Sequence, residues 1–163
     1  MSTFVVVGNS HRPFHRLLDA VVSLKDILPK PIVVQYGHTP FRTPAIEAVD
    51  FLGMEQFIDR LKGARLLILH AGVGTVLQAV EAGQVPVVMP RRRAFGEHVD
   101  DHQVDYAQAM ERAGLVIVAH TCEDLHAAIR SASNRTVKPV SRSPEPQLVA
   151  LVREALHEVA VSA

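Results

Sequence analysis

His70, Gly72, Gly74 and Thr75 stand directly after the apolar run Leu66, Leu67, Ile68 and Leu69. An imidazole N–H there can donate to an anionic oxygen, glycines let backbone N–H groups approach the same anion, and a threonine hydroxyl can cap a helix while meeting another oxygen. An ordinary strand-to-helix turn, its histidine satisfied by a backbone carbonyl, uses the same residue types. Glu81 can accept two vicinal hydroxyls, as on a ribose, or be a solvated surface carboxylate. Arg91, Arg92 and Arg93 form the basic run, either a solvated loop or the source of one guanidinium for a phosphate or a sugar carboxylate. Asp101 and Gln103 follow at the start of a helical segment, where an aspartate is equally a helix cap. His98 and His102 are spaced four apart beside Asp101, but a third placed ligand is missing and no metal is expected. Gly8, Asn9 and Ser10 close the first apolar run and stand as helpers in anion binding or as a plain loop. His11, just beyond them, is the candidate general base.

Positioning these groups requires strands that end together. Residues 4–8, 31–35, 66–69, 86–90 and 115–119 are short apolar runs without polar alternation, as strands buried on both faces of a parallel sheet read. Residues 46–51 alternate less cleanly and suit a short strand near a sheet edge. Between the runs, apolar residues recur at helical spacing: Phe14, Leu17, Leu18, Val21; Phe57, Ile58, Leu61; Val76, Leu77, Val80; Tyr106 and Met110; Leu125 and Ile129. Gly83 and Gly114 lie where helices end. Strands alternating with helices imply an α/β fold: a single Rossmann-like, doubly wound, mostly parallel sheet with helices on both faces. Its ligands bind outside the carboxyl ends of the strands. The expected organisation is one domain over residues 1–163, with a Ser-, Arg- and Pro-rich mobile connector at 131–146 and a closing helix at 147–160 carrying Leu148, Val149, Val152, Leu156 and Val159.

Composition narrows the classes. A chain of 163 residues supports one such domain and not two. Seventeen basic and seventeen acidic residues cancel, so no global field recommends nucleic acid. Cys122 is the single cysteine, which fits a reducing compartment. No apolar run nears the ~20 residues of a membrane helix, so membrane attachment is expected through a partner.

The turn lacks the third glycine of the dinucleotide fingerprint and the lysine of a phosphate loop. The ordered set His70, Gly72, Gly74, Thr75, Glu81, Gly83, Pro86, Pro90, Asp101, His102 and Gln103 instead resembles the donor-nucleotide signature of the carboxyl-terminal domain of family 28 glycosyltransferases. The resemblance runs from residues 5–8 through Gln35, Tyr36, Gly37 and His38, and is loose after Ala119. Within the family the chain is similar to the small donor-domain subunit of two-chain exopolysaccharide glycosyltransferases, the PssE type.

That resemblance implies the donor half of a GT-B fold. It also implies a cytoplasmic, inverting transferase acting on a UDP-sugar, glucuronic acid included, with no cofactor. Glu81 would hold the ribose, Asp101 and Gln103 the donor sugar, and His70 with the helix start the diphosphate. A membrane-associated partner subunit would bind the lipid-linked acceptor and is a better source of the general base than His11. The alternative is a non-catalytic nucleotide-sugar-binding or regulatory module.

Overall fold

A computed structural model describes residues 2–134 together with residues 150, 153, 154 and 157, which are helical. Six parallel strands form one sheet: β1 (Thr3–Val6), β2 (Ile32–Gln35), β3 (Glu47–Val49), β4 (Leu66–His70), β5 (Val87–Met89) and β6 (Ile117–Val118). Their spatial order is β3-β2-β1-β4-β5-β6. The chain starts in the middle, builds outward to β3, then returns past β1 to build the other half. Such a reversal, here between β1 and β4, leaves a crevice at the carboxyl ends of those strands.

The period of two along each strand sorts side chains into two layers. Phe4, Val6, Leu67, Leu69 and Val88 face α2 (Met54–Gly63), α3 (Val73–Glu81) and α4 (His102–Arg112), meeting Phe57, Leu61, Val76, Ala79 and Met110. Val5, Val7, Ile68, Val87 and Met89 face α1 (His15–Ser23) and α5 (Cys122–Asn134), meeting Phe14, Leu17, Val21, Leu125 and Ile129. Both faces are covered, which is why the strands carry no polar alternation. β3 is the short edge strand, with Glu47 exposed.

Several boundaries differ from expectation, the edge strand among them, which is Glu47–Val49 rather than 46–51. The last strand is only Ile117–Val118, prolonged by the bond from Ala119 N–H to the Val88 carbonyl. The first helix ends at Ser23 rather than near Leu28, whose side chain still reaches the core from a turn. α5 runs to Asn134, through the first four residues of the expected connector, because no proline or glycine interrupts the chain before Pro139. The rest of that connector, and the stripe from Leu148 to Val159, lie outside the described residues.

Candidate functional site

The crevice at the switch point is a cavity of about 440 Å³. Gly8 and Asn9 line it from the end of β1, His70 from β4, and Gly72, Gly74, Thr75 and Gln78 from the turn and first turns of α3. Its other end is apolar, walled by Phe51, Leu52, Met54 and Phe57. A second hollow, of about 530 Å³ beside α2, holds Asp59 and the Arg60–Glu47 ion pair, a net acidic lining unsuited to an anion.

Like α1, α2 and α4, α3 begins without a capping side chain, and it does so at the crevice. Gly72 is the N-cap, with φ −79° and ψ 128°, and no side chain caps the helix. The first hydrogen bond of the helix runs from Val76 N–H to the Gly72 carbonyl. The N–H groups of Val73, Gly74 and Thr75 therefore have no acceptor within the helix, and the first turn carries no acidic residue. Thr75 is the third residue of α3, not its cap. The turn is tighter than the sequence suggests, because extended backbone at Gly72 lets the helix start at once.

His70 sits behind this turn, 8% exposed. Its imidazole fills the space where a Cβ on Gly8 or on Gly72 would lie, so both positions exclude any side chain while the ring is in place. Gly8 also has φ +85°, a conformation that strains other residues. Burial and the Arg91 guanidinium push the His70 pKa down to about 4, against a hydrogen bond with the Val6 backbone. The imidazole is thus neutral near pH 7. Its Nδ1 is buried without a hydrogen bond.

Arg91 does not reach a ligand. It is fully buried, donating through Nη1 to the Arg12 and Glu97 carbonyls (2.7 and 3.1 Å) and through Nη2 to the Val7 carbonyl (2.8 Å). Its guanidinium lies 4.7 Å from the Phe14 ring centroid. Burial lowers its pKa to about 10, with Glu97 opposing, so it remains a cation. The expected contact with a donor sugar is corrected here: the guanidinium satisfies carbonyls left open by the β1 and β5 loops. Beside it, Arg16 makes a two-pronged pair with Glu97 (2.9 and 2.7 Å) and donates to the Pro90 and His120 carbonyls. Arg93 is the exposed member of the run.

Glu81 is likewise displaced from its expected place. It is the last residue of α3, exposed, and does not line the crevice. Gln78, three residues after Thr75 and so on the same helical face, does. Asp101 is the N-cap of α4 by position, but its carboxylate accepts from Arg93 N–H at 3.0 Å, and Gln103 Oε1 accepts from Arg91 N–H at 3.1 Å. Both tie the β5 loop to α4 and neither lines the cavity. Ser10 Oγ accepts from Arg12 N–H within its own turn. His11 is exposed and stacked on His38, ring centroids 4.1 Å apart, outside the cavity wall.

Asp100, rather than Asp101, stands between the paired histidines. Its Oδ1 is 2.9 Å from His98 Nδ1 and its Oδ2 is 2.9 Å from His102 Nδ1. Slight burial pushes the carboxyl up, but the hydrogen bonds and charge of His102, then of His98, outweigh it and hold its pKa below the ordinary value. Among the described residues no group of three His, Cys, Asp or Glu side chains could hold a metal ion. Sequence reading missed Gln78, Asp100, the Arg16–Glu97 pair and the apolar wall. Only Gln78 carried a usable signal, its one-turn spacing from Thr75.

The family model for the glycosyltransferase family 28 C-terminal domain matches residues 2–157. The UDP-N-acetylglucosamine transferase subunit ALG13 of Yarrowia lipolytica is 30% identical over 120 residues, covering 66% of this chain and 59% of that protein. This chain thus spans less than two thirds of that relative's length. A solution structure of ALG13 superposes with TM-score 0.63 at 20% identity, covering 96% of each chain. The calicheamicin glycosyltransferase CalG4 gives TM-score 0.60 at 19% identity, over 99% of this chain and 38% of that one. The fold is thus shared with carboxyl-terminal halves of GT-B glycosyltransferases, and with residues 2–157 matched the chain belongs to the glycosyltransferase family 28 C-terminal domain family.

Proposed function

We propose that this chain is the donor-binding subunit of an inverting UDP-sugar glycosyltransferase. The observation that carries the reading is the uncapped start of α3 beside a buried, neutral His70, both on the wall of the crevice. Together they offer neutral N–H donors to a diphosphate, and they can stabilise the charge that develops on it as it leaves. The ribose then lies along α3 at Gln78, and the base lies against the apolar wall of Phe51, Leu52 and Met54. The sugar points toward the loop after β5. A second chain closes the cleft, brings the acceptor, and holds the reacting atoms together. We place the protein in the cytoplasm, held at the membrane through that partner and serving exopolysaccharide synthesis on a lipid-linked acceptor. No described helix is long and apolar enough to cross a membrane itself.

Two donor sugars merit direct comparison. UDP-N-acetylglucosamine is named for the ALG13 relative. UDP-glucuronate is favoured if Arg93, the exposed arginine of the loop, meets its carboxylate. Calorimetry with UDP, UDP-glucose and these two donors is the test: binding tighter than ~1 mM is expected for UDP, and a preference among sugars identifies the donor. Absence of UDP binding by a folded sample removes the reading. Donor binding without transfer in the presence of the partner would favour the non-catalytic module instead.

A further inference from the structure

We propose that the Gln35 carboxamide reads the nucleobase: its Nε2 donates to the carbonyl oxygen at position 4 of uracil and so selects uridine over cytidine diphosphates. This rests on the UDP-sugar transferase reading above and names the group that sets its nucleotide specificity.

Gln35 is the last residue of β2, 8% exposed, and it lines the crevice at the apolar end. Its backbone is held from both sides. It pairs with Val6 of β1 and Val49 of β3, and its carbonyl accepts from Val7 N–H at 3.2 Å. The side chain is held as well. Oε1 accepts from Leu52 N–H at 3.0 Å, and because a backbone N–H only donates, this contact assigns the oxygen end of the carboxamide. A free amide can turn over and present either a donor or an acceptor. This one cannot do so without losing the Leu52 bond. Nε2 makes no hydrogen bond among the described residues and is not sealed from the crevice, so its N–H groups remain for a ligand.

The other side chains at this end, Phe51, Leu52, Met54 and Phe57, carry no hydrogen-bond donor. A base lying against them therefore meets a single polar side chain, and that side chain only donates. No Asp, Glu, Lys or Arg lines the crevice, so charge does not choose the base. Distance decides which edge is read. The anion seat is at the end of β4 and the start of α3, and β2 stands two places from β4 across β1, roughly 10 Å at the usual strand spacing. In a pyrimidine nucleotide the ring carbon at position 4 lies opposite the nitrogen that carries the ribose. Its substituent is the base atom furthest from the sugar, the one carried out toward β2. Uracil presents an acceptor oxygen there and cytosine an amino donor. Facing Gln35, the amino group would leave two buried donors unpaired. The oxygen at position 2 is common to both bases and cannot tell them apart.

The experiment is calorimetry of the full chain with UDP and with CDP, beside a melting curve for each protein. Wild type is expected to bind UDP at least about tenfold more tightly than CDP, the scale of one hydrogen bond lost with its donors left unpaired. Gln35→Glu keeps an acceptor for Leu52 N–H and turns the donor end into a second acceptor, so the order should reverse and CDP become the tighter ligand. Gln35→Leu should bind UDP about tenfold more weakly and bring the two nucleotides within about threefold of each other. A carboxamide that serves only to hold Leu52 would lower both affinities alike in these variants and leave their ratio unchanged. UDP and CDP bound within about threefold by the wild type overturn the assignment and leave the donor-binding reading standing. A UDP preference kept by folded Gln35→Glu or Gln35→Leu overturns it as well. Wild-type protein that binds neither nucleotide sinks the parent reading too.

Discussion

Three glycines around His70 and α3 should respond to alanine in three different ways. A Cβ at Gly72 would occupy the space of the His70 ring, yet the backbone there is ordinary, so the cost is steric alone. Overpacking of this kind costs about 1–3 kcal/mol, which for a domain of this size lowers the melting temperature by roughly 3–9 °C. Gly8→Ala meets the same ring and adds the strain of φ +85°, about 1–2 kcal/mol more. At Gly74 nothing lies within 4 Å, and alanine in a helix is better than glycine by about 1 kcal/mol, so this variant should melt higher. All three should bind UDP more weakly, Gly74→Ala because its methyl takes up room in the crevice. Differential scanning calorimetry and UDP titration separate stability from binding. The decisive comparison is Gly72→Ala in a His70→Ala background, where the methyl has room and most of its cost should vanish. An undiminished cost there would mean that the glycine serves something other than the imidazole.

Gln78→Ala should weaken UDP binding by about two- to tenfold, the worth of one neutral hydrogen bond, while Glu81→Ala leaves it unchanged by calorimetry. The reverse outcome would return the ribose to Glu81. Acid stability should report His70, whose pKa of about 4 in the fold compares with ~6.5 in the unfolded chain. The unfolded chain takes up that proton first, so stability is intact above pH ~6.5 and falls toward pH 4, by roughly 3 kcal/mol in all. Urea unfolding across that range should show a shallower slope in His70→Asn. Arg91→Met should cost about 3–5 kcal/mol by leaving buried carbonyls unpaired, and a melting curve near wild type would remove Arg91 from the framework of the site.

The sheet was legible because a strand buried on both sides needs only apolar residues, and 4–7, 66–69 and 87–89 have nothing else. The helix start was less so. Whether Gly72 or Thr75 ends the turn depends on backbone angles that the glycines permit but do not dictate. A shift of three residues at the cap moves the crevice-facing position from Gln78 to Glu81. Arg91 was misread for a different reason: a triple arginine looks solvated, and two of the carbonyls that bury it belong to Val7 and Arg12, about 80 residues earlier in the chain. Asp100 and Asp101 are interchangeable in sequence. Only the fold of the loop decides which one stands between His98 and His102.

The bare start of α3 has a thermodynamic consequence. A helix with no capping side chain forgoes the stabilisation of about 1 kcal/mol that a serine or aspartate cap provides, and the His70 ring leaves no room for one at position 72. On the donor-binding reading proposed above, the diphosphate supplies what is missing, so the ligand becomes part of the folded structure's own hydrogen bonding. Its affinity and its stabilisation of the fold are then linked: occupancy at a hundred times Kd adds about 2.7 kcal/mol to the free energy of unfolding. Inorganic phosphate or sulfate can fill the same role in part. The solution in which the protein is kept thereby becomes a competitor of the donor, and a stable preparation can be one whose crevice is already taken.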